Sequence, residues 1–284
     1  DLTDERSAHI NKLKGDLHTV FPQYLDVFCD VTGKTSTMIL RQYGTPDKIL
    51  RGHKKTMIEK ISKASRKGLA KASERYEKLC AAANAAKTFG CQIDSIYFNI
   101  FLTLDLVEKL DSALDSILNR IRQLITFNKN EKFIQQIKLL NTIPGVGFLT
   151  AVTIMCEIGD FSAFRNPKQL FAYFGLDPEV NESGKFVGTQ LHRSKRGSRI
   201  ARRAIFAVAL ASIRTKRNGE GINPYLRKYY ELKSGQKPKM VAIGAVMHKV
   251  CNIVFAVLRD EKAFELRSPE EHCKQYQRPA LAAA

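Results

Sequence analysis

Ser183 opens a stretch in which a nucleophile and its electrostatic helpers stand close together. Between Ser183 and Arg203 lie seven basic side chains, Lys185, Arg193, Lys195, Arg196, Arg199, Arg202 and Arg203, and no acidic one. Like charges gathered so densely repel one another, and phosphate is their usual counter-charge. A serine hydroxyl attacking a phosphodiester needs cations to offset the extra negative charge on pentavalent phosphorus, which guanidinium groups supply in bidentate form. Spacing alone favours a plainer role for Ser183, because serine before glycine is a common turn-former. His192, set among the cations, reads as one more polar contact to phosphate.

A second candidate is Ile143-Pro144-Gly145-Val146-Gly147, flanked on both sides by helical patterns. This is the signature of a helix-hairpin-helix. Backbone amides at Gly145, Val146 and Gly147, with the start of the next helix, could hold a phosphate without reading base sequence. The alternative is a tight structural turn between packed helices, but the flanking apolar residues and the basic context favour the DNA contact. A third candidate is the run from His53 to Lys78, with nine Lys or Arg (Lys54, Lys55, Lys60, Lys63, Arg66, Lys67, Lys71, Arg75, Lys78) among small residues. It is either a solvated helix face or a second phosphate-contacting surface.

Other chemistries lack their residues. There is no phosphate-binding glycine loop, dinucleotide fingerprint, zinc-protease motif or hydrolase elbow. Glu157, Asp160 and Asp177 could be assembled into a metal pair, but acids at helix ends serve far more often as caps or arginine partners. The chain is therefore expected to hold no metal or other cofactor of its own. Cysteines 29, 80, 91, 156, 251 and 273 are scattered without zinc spacing and read as reduced thiols of a cytoplasm.

The elements that must position these residues are helical. With 284 residues, 44% of them apolar, the chain can bury a real core as two domains, or as one domain and an extended element. Forty-six Lys and Arg against 28 Asp and Glu leave a net charge of +18, more than solubility asks of a domain, which favours a polyanion as partner. No apolar run reaches the length of a membrane span and no signal peptide opens the chain.

Residues 1 to about 30 repeat apolar positions every three or four, giving an amphipathic helix kinked at Pro22. A short helix over 32–41 follows, then a fresh start with Thr45 as cap and Pro46 in the first turn. From Ile93 to Leu124 a heptad is legible: Ile93, Ile96, Ile100, Thr103, Val107, Leu110, Leu114, Ile117, Ile121 and Leu124. Such a seam predicts a long coiled-coil helix over 92–128 that packs against the chain's own first helix or, the favoured reading for a seam this long, joins copies of the chain. It divides a helical region over 1–91 from a C-terminal domain over 135–265, which ends in a tail over 266–284.

Within the C-terminal domain, Asn166-Pro167 opens a helix ended by Gly175, and residues 180–188 form a short β-hairpin. Gly197-Ser198 begins a helix whose apolar face, Ile200, Ala204, Val208 and Ala211, opposes Arg199, Arg202 and Arg203. Helices over 223–233 and from about Pro238 to Leu258 complete it. No strand-helix-strand alternation occurs, so the fold class is mainly α.

The order of motifs is itself informative. LLNTIPGVGFLTAVTIMCEIGDFSAFRNPKQLFAYFGLDP, then ESGKFVG, then RSKRGSRIARRAIFAVA, resembles the C-terminal transposase domain of the insertion-sequence-110 family, also named with 116 and 902, whose members are bridge-RNA-guided recombinases. The likeness covers Leu139 to about Phe264; FPQY, LRQYGTPDKI and the long coiled coil resemble the family's middle region. The resemblance implies a DNA recombinase of a bacterial insertion sequence, with Ser183 as the nucleophile that joins covalently to a DNA strand. It implies partners too: DNA, a noncoding guide RNA, and further copies of the chain in a dimer or tetramer, with no membrane and a cytoplasmic, nucleoid-associated location. Family members carry a RuvC-like N-terminal domain with four acidic residues that bind divalent metal (magnesium). No such domain precedes Asp1 here, so the stretch at hand is expected to bind nucleic acid and, by itself, not to cut it. The competing expectation is a non-catalytic dimeric helix-hairpin-helix scaffold for DNA or RNA.

Overall fold

The computed structural model describes residues 1–89, 91, 93–179, 182–183, 186–187, 193–268 and 270–271, with the backbone alone at 182–183 and 186–187. The described residues are mainly helical, as the periodicity predicts. They fall into two units, residues 1–123 and 124–284.

In the first unit α1 (Leu2–Val20) stops before Pro22, and the chain resumes as the single turn α2 (Tyr24–Val27). Proline lacks the amide and crowds the preceding turn, so the expected kink is a full break. α3 (Lys34–Gln42) leads to α4 (Pro46–Arg51), which begins as expected with Pro46 in its first turn and the Thr45 hydroxyl accepting from the Lys48 amide. α5 (Lys54–Ser65) and α6 (Leu69–Phe89) pack together as a helical hairpin. Ala72, Ala82, Ala83 and Ala86 are buried on α6, and these small side chains let neighbouring helices approach closely. The core gathers Leu13, Leu17, Phe21, Tyr24, Ile39, Leu40, Ile49, Met57, Ile61 and Leu79.

The long helix predicted from the heptad is α7 (Asp94–Thr126). Its first half is not a free seam, because Tyr97, Ile100, Thr103, Leu104 and Val107 are buried within the unit. Charges fasten the same face. Arg41 on α3 reaches Asp105 at 2.6 Å and Glu108 at 2.8 Å, and Arg6 on α1 pairs with Asp111. A second stripe, Phe98, Leu102, Leu106, Ile117 and Leu124, stays exposed around the helix from the buried one.

The second unit is built on α13 (Lys239–Asp260), which packs against α8 (Glu131–Leu140), α10 (Pro167–Tyr173), α11 (Arg199–Ile213) and α12 (Pro224–Ser234). By length and composition α13 could cross a bilayer, a candidate that the sequence reading passed over. In the fold it is the central core helix, with Ala242, Val246, Met247, Val250, Cys251, Val254 and Leu258 all buried. α9 (Phe148–Ile158) lies between α8 and α11 in the packing. Side-chain caps start four of these helices: Asn130, Asn166, Ser198 and Asn223 each accept from backbone amides of the first turn.

Candidate nucleic-acid interface

Two short backbone segments cross where α10 ends and α11 is about to begin. Gly175 takes φ +64°, and a Cβ on Gly197 would collide with the Tyr173 carbonyl and stand 2.6 Å from the Gly175 nitrogen. Glycine is required at this crossing because no side chain fits between the strands of backbone. Beyond the crossing the chain forms a stem. The Lys195 amide donates to Gly175 O at 3.2 Å, the Ser194 amide to Asp177 O at 2.9 Å, and Pro178 and Arg193 form a bridge. The Ser194 hydroxyl closes the stem on the Asp177 carboxylate at 2.5 Å.

Ser183 lies in the excursion that this stem closes. It sits on β1 (Glu182–Ser183), which pairs antiparallel with β2 (Phe186–Val187), Ser183 opposite Phe186. The short hairpin is therefore present, with Ser183 on a strand. Lys185 and His192 lie outside the described residues.

The basic side chains divide by what they touch. The Arg202 Nη1 lies 2.6 Å from Gly197 O and 3.2 Å from both Phe174 O and Lys195 O, so this guanidinium pins the crossing from inside. Arg193 leans on α13: a Cβ on Gly244 would stand 2.5 Å from its Nη2, and its Nη1 lies 3.5 Å from Met247 Sδ. Lys195, Arg196 and Arg199 are exposed, and their side chains have no hydrogen-bond or ion-pair partner among the described residues. Arg203 is exposed as well. Lys195 adopts the left-handed backbone at φ 54°, which turns the segment toward the Ser198 cap of α11. The buried face of α11 is Ala201, Ala204, Ile205, Val208, Ala209 and Ser212; Ile200, expected inside, is 59% exposed. The inward arc is shifted by one residue because it follows α9 and α13, which sequence spacing does not reveal.

The Gly145 turn stands at the other end of α11, roughly 22 Å away for a helix of 15 residues. Gly145, at φ +95°, faces inward: a Cβ there would lie 2.9 Å from the Ser212 hydroxyl, which donates to Pro144 O at 3.0 Å. Val146 is buried, and its amide closes the turn on Ile143 O at 2.9 Å. Gly147 is exposed and starts α9 with no side-chain cap. Of the three turn residues, Gly147 is the exposed one, Gly145 is half-buried and Val146 is buried.

One basic element escaped the sequence reading. Immediately after α11, Arg214, Lys216 and Arg217 are exposed on a tight loop closed by a Thr215–Gly221 bridge and by the Lys216 amide donating to Glu220 O at 2.7 Å. The Ile222 amide donates to Arg214 O, and the Asn223 amide to Ser212 O, so this loop and the Gly145 turn share the end of α11. The signal was there, as Arg-Thr-Lys-Arg-Asn-Gly places three cations just before a turn pair.

Of the three acids singled out in the sequence, Asp160 acts as a cap, Asp177 takes a serine hydroxyl, and Glu157 has no hydrogen-bond or ion-pair partner among the described residues. Asp160 accepts from the Ser162 amide and hydroxyl, which hold its carboxyl below the usual range, and Asp177 takes the Ser194 hydroxyl. Among the described residues no three His, Cys, Asp or Glu are gathered where they could ligate a metal. A cavity of about 390 Å³ beside α12 and α13, walled by Leu226, Ile253, Val257 and Phe264, does not include the basic segment.

One family model matches within the same unit. Residues 137–231, from α8 to α12, match the family model for transposases of the IS116/IS110/IS902 family. Over 272 residues, 95% of this chain, the sequence is 24% identical to an uncharacterised 43.6 kDa protein of insertion element IS110 from Streptomyces coelicolor, covering 63% of that protein. It is 30% identical over 177 residues to a pilin gene-inverting protein from Moraxella bovis, covering 62% of this chain and 52% of the relative. A transposase for insertion sequence element IS1111A from Coxiella burnetii is 26% identical over 188 residues, with 64% and 50% covered. The chain thus spans about half to under two thirds of the length of the curated relatives it matches.

Proposed function

We propose that this chain is the DNA-handling part of an insertion-sequence transposase, of the IS116/IS110/IS902 kind that its residues 137–231 match. The observation that carries the reading is the set Lys195, Arg196 and Arg199: exposed cations without a carboxylate partner among the described residues, mounted beyond a glycine crossing that leaves little freedom in the backbone. A rigid array of unpaired cations is suited to a phosphate backbone, and the loop at Arg214–Arg217 with the Gly147 end of α9 adds a second contact region along α11.

In this reading Ser183 is the nucleophile. Its oxygen forms a bond to phosphorus while one P–O bond of the strand breaks, the serine proton leaves to solvent or a base, and the cut strand departs with a hydroxyl end. Arg196 and Arg199 offset the charge that accumulates on the phosphoryl oxygens, whereas Arg202 positions the segment through three carbonyls. Family resemblance adds a guide RNA, magnesium bound by the carboxylates of a RuvC-like domain, and a cytoplasmic setting. The exposed stripe Phe98, Leu102, Leu106 and Ile117 on α7 supports self-association.

Replacing Arg196 and Arg199 together by alanine tests the interface. Binding of duplex DNA is expected to weaken and its dependence on log salt to flatten by about 2, near 0.9 for each lost phosphate contact, with the melting temperature unchanged. Undiminished binding with an unchanged salt slope would contradict the assignment.

A further inference from the structure

The α5–α6 hairpin lies outside the family-matched segment and carries nine Lys or Arg between residues 53 and 78, against three Glu. Near the body of the unit four of these cations are engaged, and Lys55 is exposed without a partner among the described residues. Lys54 is 3.9 Å from Glu77 and sits over the Tyr76 ring, Lys60 lies over Tyr43, Arg75 over Phe28, and Lys78 pairs with Glu74 at 2.7 Å. At the tip the pattern changes. The side chains of Lys63, Arg66, Lys67 and Lys71 are exposed and make no hydrogen bond or ion pair with a described residue. Glu59, one turn before Lys63, is not in ion-pair contact with it.

Fold stability does not account for this arrangement. Lys67 and Lys71 stand at the start of α6, where the helix dipole disfavours cations, and α6 has no acid in its first turn. Lys63 stands in the last turn of α5, Lys67 in the connection and Lys71 in the first turn of α6, so the turn gathers like charges at one end of the hairpin. The turn that presents them is nevertheless well fixed. Arg66 caps α5 in the left-handed conformation at φ 52°, the Ser62 hydroxyl donates to Lys67 O at 2.8 Å, and the Lys67 amide donates to the Ser65 oxygen at 3.3 Å. A shaped turn holding four mutually repelling cations is explained by a polyanion that spans them.

We infer that the tip of the α5–α6 hairpin, through Lys63, Arg66, Lys67 and Lys71, is a second duplex-DNA contact, carried by the first unit, that grips phosphates in addition to those held by the C-terminal unit. The choice of DNA as the polyanion rests on the reading of the C-terminal unit given above. The contact is independent of base sequence, since ammonium and guanidinium groups on a convex turn reach phosphates rather than base edges.

The test uses the 284-residue chain with Lys63→Gln, Arg66→Gln, Lys67→Gln and Lys71→Gln combined, beside the Arg196→Ala/Arg199→Ala pair, and measures anisotropy of a labelled duplex of unrelated sequence across a salt series. The tip variant is expected to lower the slope of log affinity against log salt by about 2 to 4, at near 0.9 per phosphate released, and to do so additively with the Arg196/Arg199 pair. A companion variant that converts Lys63, Lys67 and Lys71 to arginine should keep the parent slope, which separates lost charge from lost fold. An unchanged slope in the tip variant overturns the inference while leaving the C-terminal interface standing if the other pair still lowers it. Loss in the tip variant alone supports the tip and overturns the C-terminal assignment. A slope that falls for a structured RNA but not for the duplex overturns the assignment to DNA.

Discussion

At the scale of single residues the basic segment is not uniform. Arg199 and Arg202 are three apart, and spacing alone gives both the same phosphate-binding role. The fold separates them: Arg202 turns back onto the carbonyls of Phe174, Lys195 and Gly197, and Arg199 projects outward without a described partner. Arg202→Ala should therefore lower stability by about 1–3 kcal/mol, the usual range for losing hydrogen bonds to a charged donor, whereas Arg199→Ala should stay within about 0.5 kcal/mol of the parent. Denaturant unfolding of the two variants checks this, and equal effects would contradict the division of roles. What the sequence could not reveal is that Gly175 and Gly197, 22 positions apart in the chain, meet backbone to backbone. A distant contact has no local periodicity, and only the crossing makes Arg202 an internal staple.

At the scale of elements, boundaries marked by chemistry were legible. Thr45-Pro46, Asn166-Pro167 and Ser198 mark helix starts because a side-chain acceptor, in two cases followed by proline, suits the unpaired amides of a first turn. The long heptad likewise gave α7 its length. Its partner was less visible, because α7 carries two apolar faces and spacing alone does not say which one the rest of its unit covers. Leu104 is 1% exposed and Leu106 is 43% exposed, two residues apart on the same helix. Leu104→Ala is thus expected to cost about 2–5 kcal/mol as a cavity in the core. Leu106→Ala should change the stability of the separated chain by no more than about 0.5 kcal/mol, yet weaken self-association in sedimentation velocity. If Leu106→Ala instead destabilises as Leu104→Ala does, the second stripe is part of the unit's own packing. α11 shows the same limit on a smaller scale, since the inward face followed α9 and α13 and left Ile200 outside.

At the scale of the whole molecule, the net charge of +18 is distributed unevenly. Arg41, Arg75 and Arg202 meet carboxylates, a ring and carbonyls, while the cations exposed without a partner among the described residues include those at the hairpin tip, ahead of α11 and in the loop behind it. Composition favours a polyanion as partner, and the fold distinguishes cations engaged within the packing from exposed ones. The motif order around Ser183 announced a transposase-like unit, and the match over residues 137–231 falls within the second of the two units. The most direct test of the account is covalent capture with the complete gene product and duplex DNA, resolved under denaturing conditions. The account predicts a protein–DNA adduct in the parent and none in Ser183→Ala, with DNA binding retained in both. An adduct that persists after Ser183→Ala, or a parent that cuts DNA without forming one, would contradict Ser183 as the nucleophile.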